Sequence, residues 1–155
     1  MHANLHRHHR VGIGGDSGSL LLLISVPGSI ACTAGDERDG HDTGDRYIRE
    51  TGRTLHDAMT GNSVCSRLSG DEFMVLFYGY DSREQLRRDL NSLQSRLRRA
   101  SIVLPNGDSF AVSISGGVAW YPEDGNDMAS LKKYADFAMY QVKRSHKGGM
   151  QEFDI

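Results

Sequence analysis

The chain has 155 residues, enough for one domain with a substantial core, and its 38% apolar and 25% charged content is that of a globular protein rather than a disordered one. A formal net charge of −2 provides no overall basic field to hold nucleic acid. The only long apolar run, Leu20 to Val26, is far shorter than the roughly 20 residues needed to span a bilayer. Cys32 and Cys65 form no CxxC or Cys/His ligand pattern, which fits reduced thiols in a cytoplasmic protein.

Residues 1–19 read as a disordered or diverged lead, and residues 20–155 as a single domain without linker or internal repeat. The crowded histidines His2, His6, His8 and His9 have no acid or Cys nearby to complete a metal site, so a solvated tail or tag remnant explains them. Gly12-Ile-Gly-Gly-Asp-Ser-Gly lacks the Gly-Lys-Ser/Thr of a phosphate loop, and no strand precedes it. A basic N-terminus, an apolar run and small residues at Ala31-Cys32-Thr33-Ala34 outline a cleavable leader. Against it, glycines interrupt the start of the run and Pro27 ends it, and a buried first strand explains Leu20 to Val26 equally well.

Residues 27–43 are expected to form a loop, with or without a short helix. A helix is expected from Gly44 to about Met59, with Ile48, Leu55 and Met59 on one face and Thr60-Gly61-Asn62-Ser63 at its end. Two strand-like runs then flank Ser69-Gly70, so residues 64–79 predict an antiparallel hairpin with 69–72 at an exposed turn. The turn carries adjacent acids, Asp71 and Glu72. Adjacent like charges repel, which makes them poor structural residues but good holders of a divalent metal against a phosphate; a solvated acidic turn is the plain alternative.

Ser82 to Ala100 predicts the clearest helix, capped by Ser82 with Gln85 three residues on and striped by Leu86, Leu90, Leu93 and Leu97. The arginines, Arg96-Leu-Arg-Arg included, belong to its solvated side. Asn106-Gly107 marks a second hairpin, and Phe110 to Trp120 alternates like one strand. Met128 to about His146 predicts a helix with Met128, Leu131, Ala135, Ala138 and Val142 facing inward, and Met150 to Phe153 an edge strand. Strands and helices in this order imply an α+β fold, helices packed on an antiparallel-rich central sheet.

Three blocks resemble the GGDEF domain of diguanylate cyclases: Gly40-His41-Asp-Thr-Gly44-Asp45, Arg67-Leu-Ser-Gly-Asp-Glu-Phe73, and Val112-Ser-Ile-Ser-Gly-Gly-Val-Ala119 continuing to Ala135-Asp136-Phe-Ala-Met-Tyr140-Gln-Val-Lys143. They fall in family order at family spacing, from about residue 36 to the end. The resemblance implies a nucleotidyl cyclase or polymerase-palm-like fold. It implies GTP as substrate, Mg²⁺ or Mn²⁺ as cofactor, and a homodimer in which two GTP condense to cyclic di-GMP. It assigns Asp71 and Glu72 to catalysis and metal binding, and Ser69 and Gly70 to close backbone approach to phosphate. Asp45 and Asp36 would bind guanine, and Lys143 and Lys147 the terminal phosphates.

Departures accompany the match. The family carries a metal-binding Asp at the end of strand one, where this chain reads Ile24-Ser25-Val26-Pro27-Gly28, and its opening signature is missing. Ser69 replaces a Gly. Thr60-Gly-Asn-Ser63 stands where the inhibitory Arg-x-x-Asp site would be, so that site is absent. No sensory or phosphodiesterase module is recognised in the sequence. The expectation is a cyclase-type domain with impaired activity; the alternative is a degenerate domain that acts by binding GTP or a protein partner. For Asp45 and His41 a helix-capping role, and for the lysines a helix-dipole role, remain the structural alternatives.

Overall fold

The computed structural model describes residues 18–26, 37–59, 62–103, 107–145 and 149–152. The elements run β1 (Gly18–Ser25), α1 (Glu37–Ala58), β2 (Ser63–Ser69), β3 (Glu72–Tyr80), α2 (Arg83–Arg99), β4 (Ser101–Val103), β5 (Ser109–Ala111), β6 (Ser115–Tyr121), α3 (Met128–Ser145) and β7 (Gly149–Glu152). Five strands form one sheet in the order β2-β3-β1-β6-β7; β4 and β5 form a separate two-stranded ribbon. Pairing in the large sheet is antiparallel except at β6–β7, where it is parallel. This is the expected α+β class.

The central position of β1 explains its composition. It lies between β3 and β6, and helices pack on both faces of the sheet there, so both its faces must be apolar. Leu20, Leu22, Ile24 and Val26 point to one face, where they join Phe73, Val75 and Phe77 of β3 beneath α1 and α2. Leu21 and Leu23 point to the other and meet Leu131, Ala135 and Met139 of α3. Gly18 and Ser19, expected to end the lead, already belong to this strand.

The α2 helix is written locally. Ser82 is its N-cap and its hydroxyl accepts from the Gln85 backbone N–H at 3.2 Å, while Leu86, Leu90, Leu93 and Leu97 are all buried. Each fully buried Leu is worth about 1.5–3 kcal/mol, against about 1 kcal/mol for a cap, so the stripe decides where the helix sits and the cap decides where it starts.

Several expectations need correction. The first helix begins at Glu37, not Gly44. Gly40 and Gly44 read as breakers in sequence, but packing of the later turns carries the helix through them, at the modest cost glycine imposes on a helix interior. The stretch Phe110 to Trp120 is not one strand: β5 pairs with β4, and residues 112–114 carry the chain across to β6 in the large sheet. A distant residue fixes this crossing. The Tyr47 hydroxyl of α1 accepts from the Ser113 N–H at 3.0 Å and donates to the Ala111 carbonyl at 3.3 Å. Met128 is 44% exposed rather than inward-facing, because it starts α3 before the helix reaches the sheet, and the buried face continues instead through Met139. Gly117 permits that contact: a Cβ there would stand 1.9 Å from the Ala135 carbonyl oxygen.

Candidate active site at the acidic hairpin

The expected hairpin is present. β2 and β3 pair from Ser63↔Phe77 to Arg67↔Phe73, the register shifts by one residue before Ser69↔Glu72, and Gly70-Asp71 form the turn. Gly70 has φ +31° and nothing within 4 Å of a Cβ position, so glycine is needed for its backbone and not for space. Arg67 holds the turn from behind: its Nε and one terminal guanidinium nitrogen donate to the Gly70 carbonyl at 2.9 and 2.6 Å. The sequence alone did not single out Arg67; its position three residues before a turn glycine was the only signal.

The pairing registers align one residue from each strand in a row across the sheet: Ser69, Glu72, Ser25, Ser115 and Gly149. This row is the edge of the candidate site. Ser69 is exposed, and Asp71 and Glu72 are half-buried. The Val26 N–H donates to the Asp71 carbonyl at 2.9 Å and ties the turn to the end of β1. Side chains alternate along a strand, and paired residues share a face. Phe73 faces α1 and α2, so Glu72 and its partner Ser25 share the α3 face. Ser25 is 2% exposed.

Lys143 lies in the last turn of α3, exposed. Gly149, which opens β7 after α3, belongs to the same row as Glu72, three strands away across the sheet. Asp36 and Lys147 lie outside the described residues. Residues 60 and 61 do too, so the expected absence of an inhibitory site is a reading of sequence alone.

On the α1 side of the hairpin, a cavity of about 480 Å³ is lined by Asp45, Ile48, Arg49, Gly52, Arg67 and Phe73. Because α1 begins at Glu37, Asp45 is more than two turns inside it. The helix dipole acts mainly within the first turn, so Asp45 is not there as a capping acid. His41 likewise falls inside α1 and is no cap.

The carboxylates suit a hard divalent ion. Mg²⁺ is commonly held by one or two carboxylates together with substrate phosphates, and Asp71 and Glu72 supply two on an accessible turn. Among the described residues no group of three or more His, Cys, Asp or Glu side chains gathers into a fuller ligand set.

Helices packed on a largely antiparallel sheet, with an acid-tipped hairpin at the sheet edge, define a palm-like nucleotidyl-transfer class. Residues 36–149 match the family described as "Diguanylate cyclase, GGDEF domain". The chain belongs to the GGDEF family. It is 32% identical over 132 residues to a signalling protein of Caulobacter vibrioides, covering 85% of this chain and 16% of that protein. It is 31% identical over 113 residues to the diguanylate cyclase TpbB of Pseudomonas aeruginosa, covering 73% of this chain and 26% of that one. The crystal structure of the TpbB GGDEF domain superposes with a TM-score of 0.77 at 26% identity, covering 90% of this chain and 84% of that chain. The chain thus spans less than a third of the length of these full-length relatives. Among the described residues, no helix is long and apolar enough to cross a membrane.

Proposed function

We propose that this domain binds GTP and is built for its condensation to cyclic di-GMP, with catalysis weakened by an incomplete metal site. The observation that carries the reading is the row of residues in which Glu72 stands beside Ser25 at the acidic edge. Asp71 and Glu72 would hold Mg²⁺ or Mn²⁺, which when bound neutralises phosphate charge. The exposed backbone of Ser69 and Gly70 leaves room for phosphate oxygens at the tip. Lys143 would meet the terminal phosphates; Asp71 would take the proton of the attacking ribose hydroxyl. Asp45 would accept hydrogen bonds from the guanine edge. Two loaded domains must meet head to head for product to form, so we propose a homodimer as the working unit. The cytoplasm, where GTP is available, is the compartment we propose. Asp36 and Lys147 are proposed further contacts to base and phosphate on the resemblance alone.

The presence of Ser25 in place of an acid favours one second reading, a module of the same family that binds GTP or a protein partner without turnover. Purified protein incubated with GTP and Mg²⁺ or Mn²⁺, with product separated by chromatography, tests both. The expected result is measurable GTP binding with little or no cyclic di-GMP. Robust turnover that Asp71→Ala or Glu72→Ala abolishes would show a fully working cyclase and overturn the impairment. Absence of any GTP binding would leave only the contact-module reading.

A further inference from the structure

We propose that Arg49 reads the base in the α1 cavity, selecting a purine with a keto oxygen over one with an amino group at the same ring position; this rests on the nucleotide reading above. Asp45 and Arg49 are one helical turn apart on α1, both are exposed, and both line the same cavity. An acid followed four residues later by an arginine is the spacing at which helix side chains ordinarily pair with each other. Here they do not. Among the described residues, neither enters an ion pair or a side-chain hydrogen bond. A set of carboxylate acceptors and a set of guanidinium donors therefore open onto one space.

Two of the other arginines nearby are committed. Arg67, which also lines the cavity, uses its donors on the Gly70 carbonyl, and Arg53 pairs with Glu50. Arg49 is the cavity arginine whose fork is uncommitted. Side chains one turn apart start about 5–6 Å from each other, the scale of a purine edge. Guanine presents N–H donors on one edge and two adjacent acceptors, the keto oxygen and the N7 ring nitrogen, on the adjoining edge. A carboxylate takes the first and a guanidinium fork the second. Adenine keeps the ring nitrogen but puts an amino donor where the keto oxygen stood, so one guanidinium donor is left facing another donor. The cavity wall strengthens the discrimination. Ile48 and the Phe73 ring are apolar, and Gly52 lets the ring approach the helix, since a Cβ there would stand 3.0 Å from it. A less hydrated wall makes each hydrogen bond, matched or mismatched, count for more.

The test is calorimetry of the full chain with Mg²⁺ and four nucleotides: GTP, inosine triphosphate, 2-aminopurine riboside triphosphate and ATP. The 2-aminopurine compound keeps guanine's amino group and lacks both its keto oxygen and its N1–H, whereas inosine keeps those two and lacks the amino group. The parent chain is expected to prefer GTP over the 2-aminopurine nucleotide by about tenfold or more. Arg49→Ala should reduce that ratio several-fold, leaving only the part that Asp45 supplies through N1–H, with the affinity for the 2-aminopurine nucleotide in place. Arg49→Lys, which keeps the charge without the fork, should recover at most part of the ratio. Asp45→Ala should instead reduce the preference for GTP over inosine triphosphate. If Arg49→Ala weakens all four nucleotides equally, Arg49 only attracts phosphate; if it changes none, Arg49 is a solvated helix charge. Either result overturns this inference while leaving GTP binding standing. A parent chain that binds no nucleotide overturns the nucleotide reading itself, and this inference with it.

Discussion

Two strand ends meet at the acidic edge, and they differ. β3 opens with Asp71 in the turn and Glu72 at its first residue; β1 closes beside it with Ser25. Both lie in the same hydrogen-bonded row, and the Val26 N–H to Asp71 carbonyl bond joins them. The two strand ends therefore share one backbone frame, and only the β3 side of it carries acids. Sheet register depends on apolar patterning and turn geometry, which a single polar exchange at a strand end leaves untouched. A ligand set has no such redundancy: each carboxylate contributes separately to holding a hard cation.

Removing the acids that remain would test the β3 side most severely. Asp71→Asn or Glu72→Gln is expected to lower any Mg²⁺-supported product formation by about 10²–10³-fold, the scale seen when one preorganised charge-stabilising group is lost. Single-turnover assays with GTP check this, and residual activity within a few-fold of the parent would show that the tip is only a solvated turn. The frame itself is most sensitive at Gly117. There an alanine methyl would collide with the α3 backbone, so Gly117→Ala should cost about 3 kcal/mol in urea unfolding, at the upper end for overpacking.

Restoring the acid on the β1 side reverses the comparison. Ser25→Asp is expected to raise Mg²⁺- or Mn²⁺-supported product formation by about tenfold or more, since a further carboxylate joins the ligand set. Without metal the same variant should be less stable than the parent, because it sets a poorly solvated charge next to Glu72. Its melting temperature should then rise on adding Mn²⁺ by more than the parent's does. Equal shifts in both proteins would separate Ser25 from the metal site.

The smaller effects lie away from this edge and serve as controls. Ser82→Ala should lower stability by about 1 kcal/mol through loss of the α2 cap, with nucleotide affinity unchanged. Burial raises the Tyr80 hydroxyl well above the ordinary tyrosine value of 10.0, helped by the neighbouring Asp89 carboxylate that accepts its hydrogen bond at 2.7 Å. Burial also raises Tyr47, with the Ser113 N–H bond opposing it. Both groups keep their protons in the folded state after the unfolded chain has lost them. Stability from these two groups is therefore fully present below about pH 10 and should fall as pH rises further, measurable as a drop in urea midpoint. A midpoint that stays flat through that range would remove the phenols from the account.

The hairpin, the α2 cap and stripe, and the apolar β1 were legible in the chain because each rests on neighbours in sequence. A turn glycine between alternating runs, a Ser with Gln three residues on, and a continuous Leu run are local signals. The start of α1 was not legible, since Gly40 and Gly44 imitate helix breakers and only tertiary packing carries the helix past them. Nor was the break at residues 112–114, where a single phenol 64–66 residues away bridges the crossing. Asp71, Glu72, Asp45 and Lys143 could be named from motif order. That Asp45 shares a cavity with Arg49 and Phe73, and that Ser25 is the residue beside Glu72, are facts of register and packing. By itself the sequence determined the elements and the chemical groups, because propensity, turn chemistry and charge are properties of short segments. Which of those groups face one another was decided by the tertiary structure, because a site is made of side chains that only strand pairing and helix packing bring together.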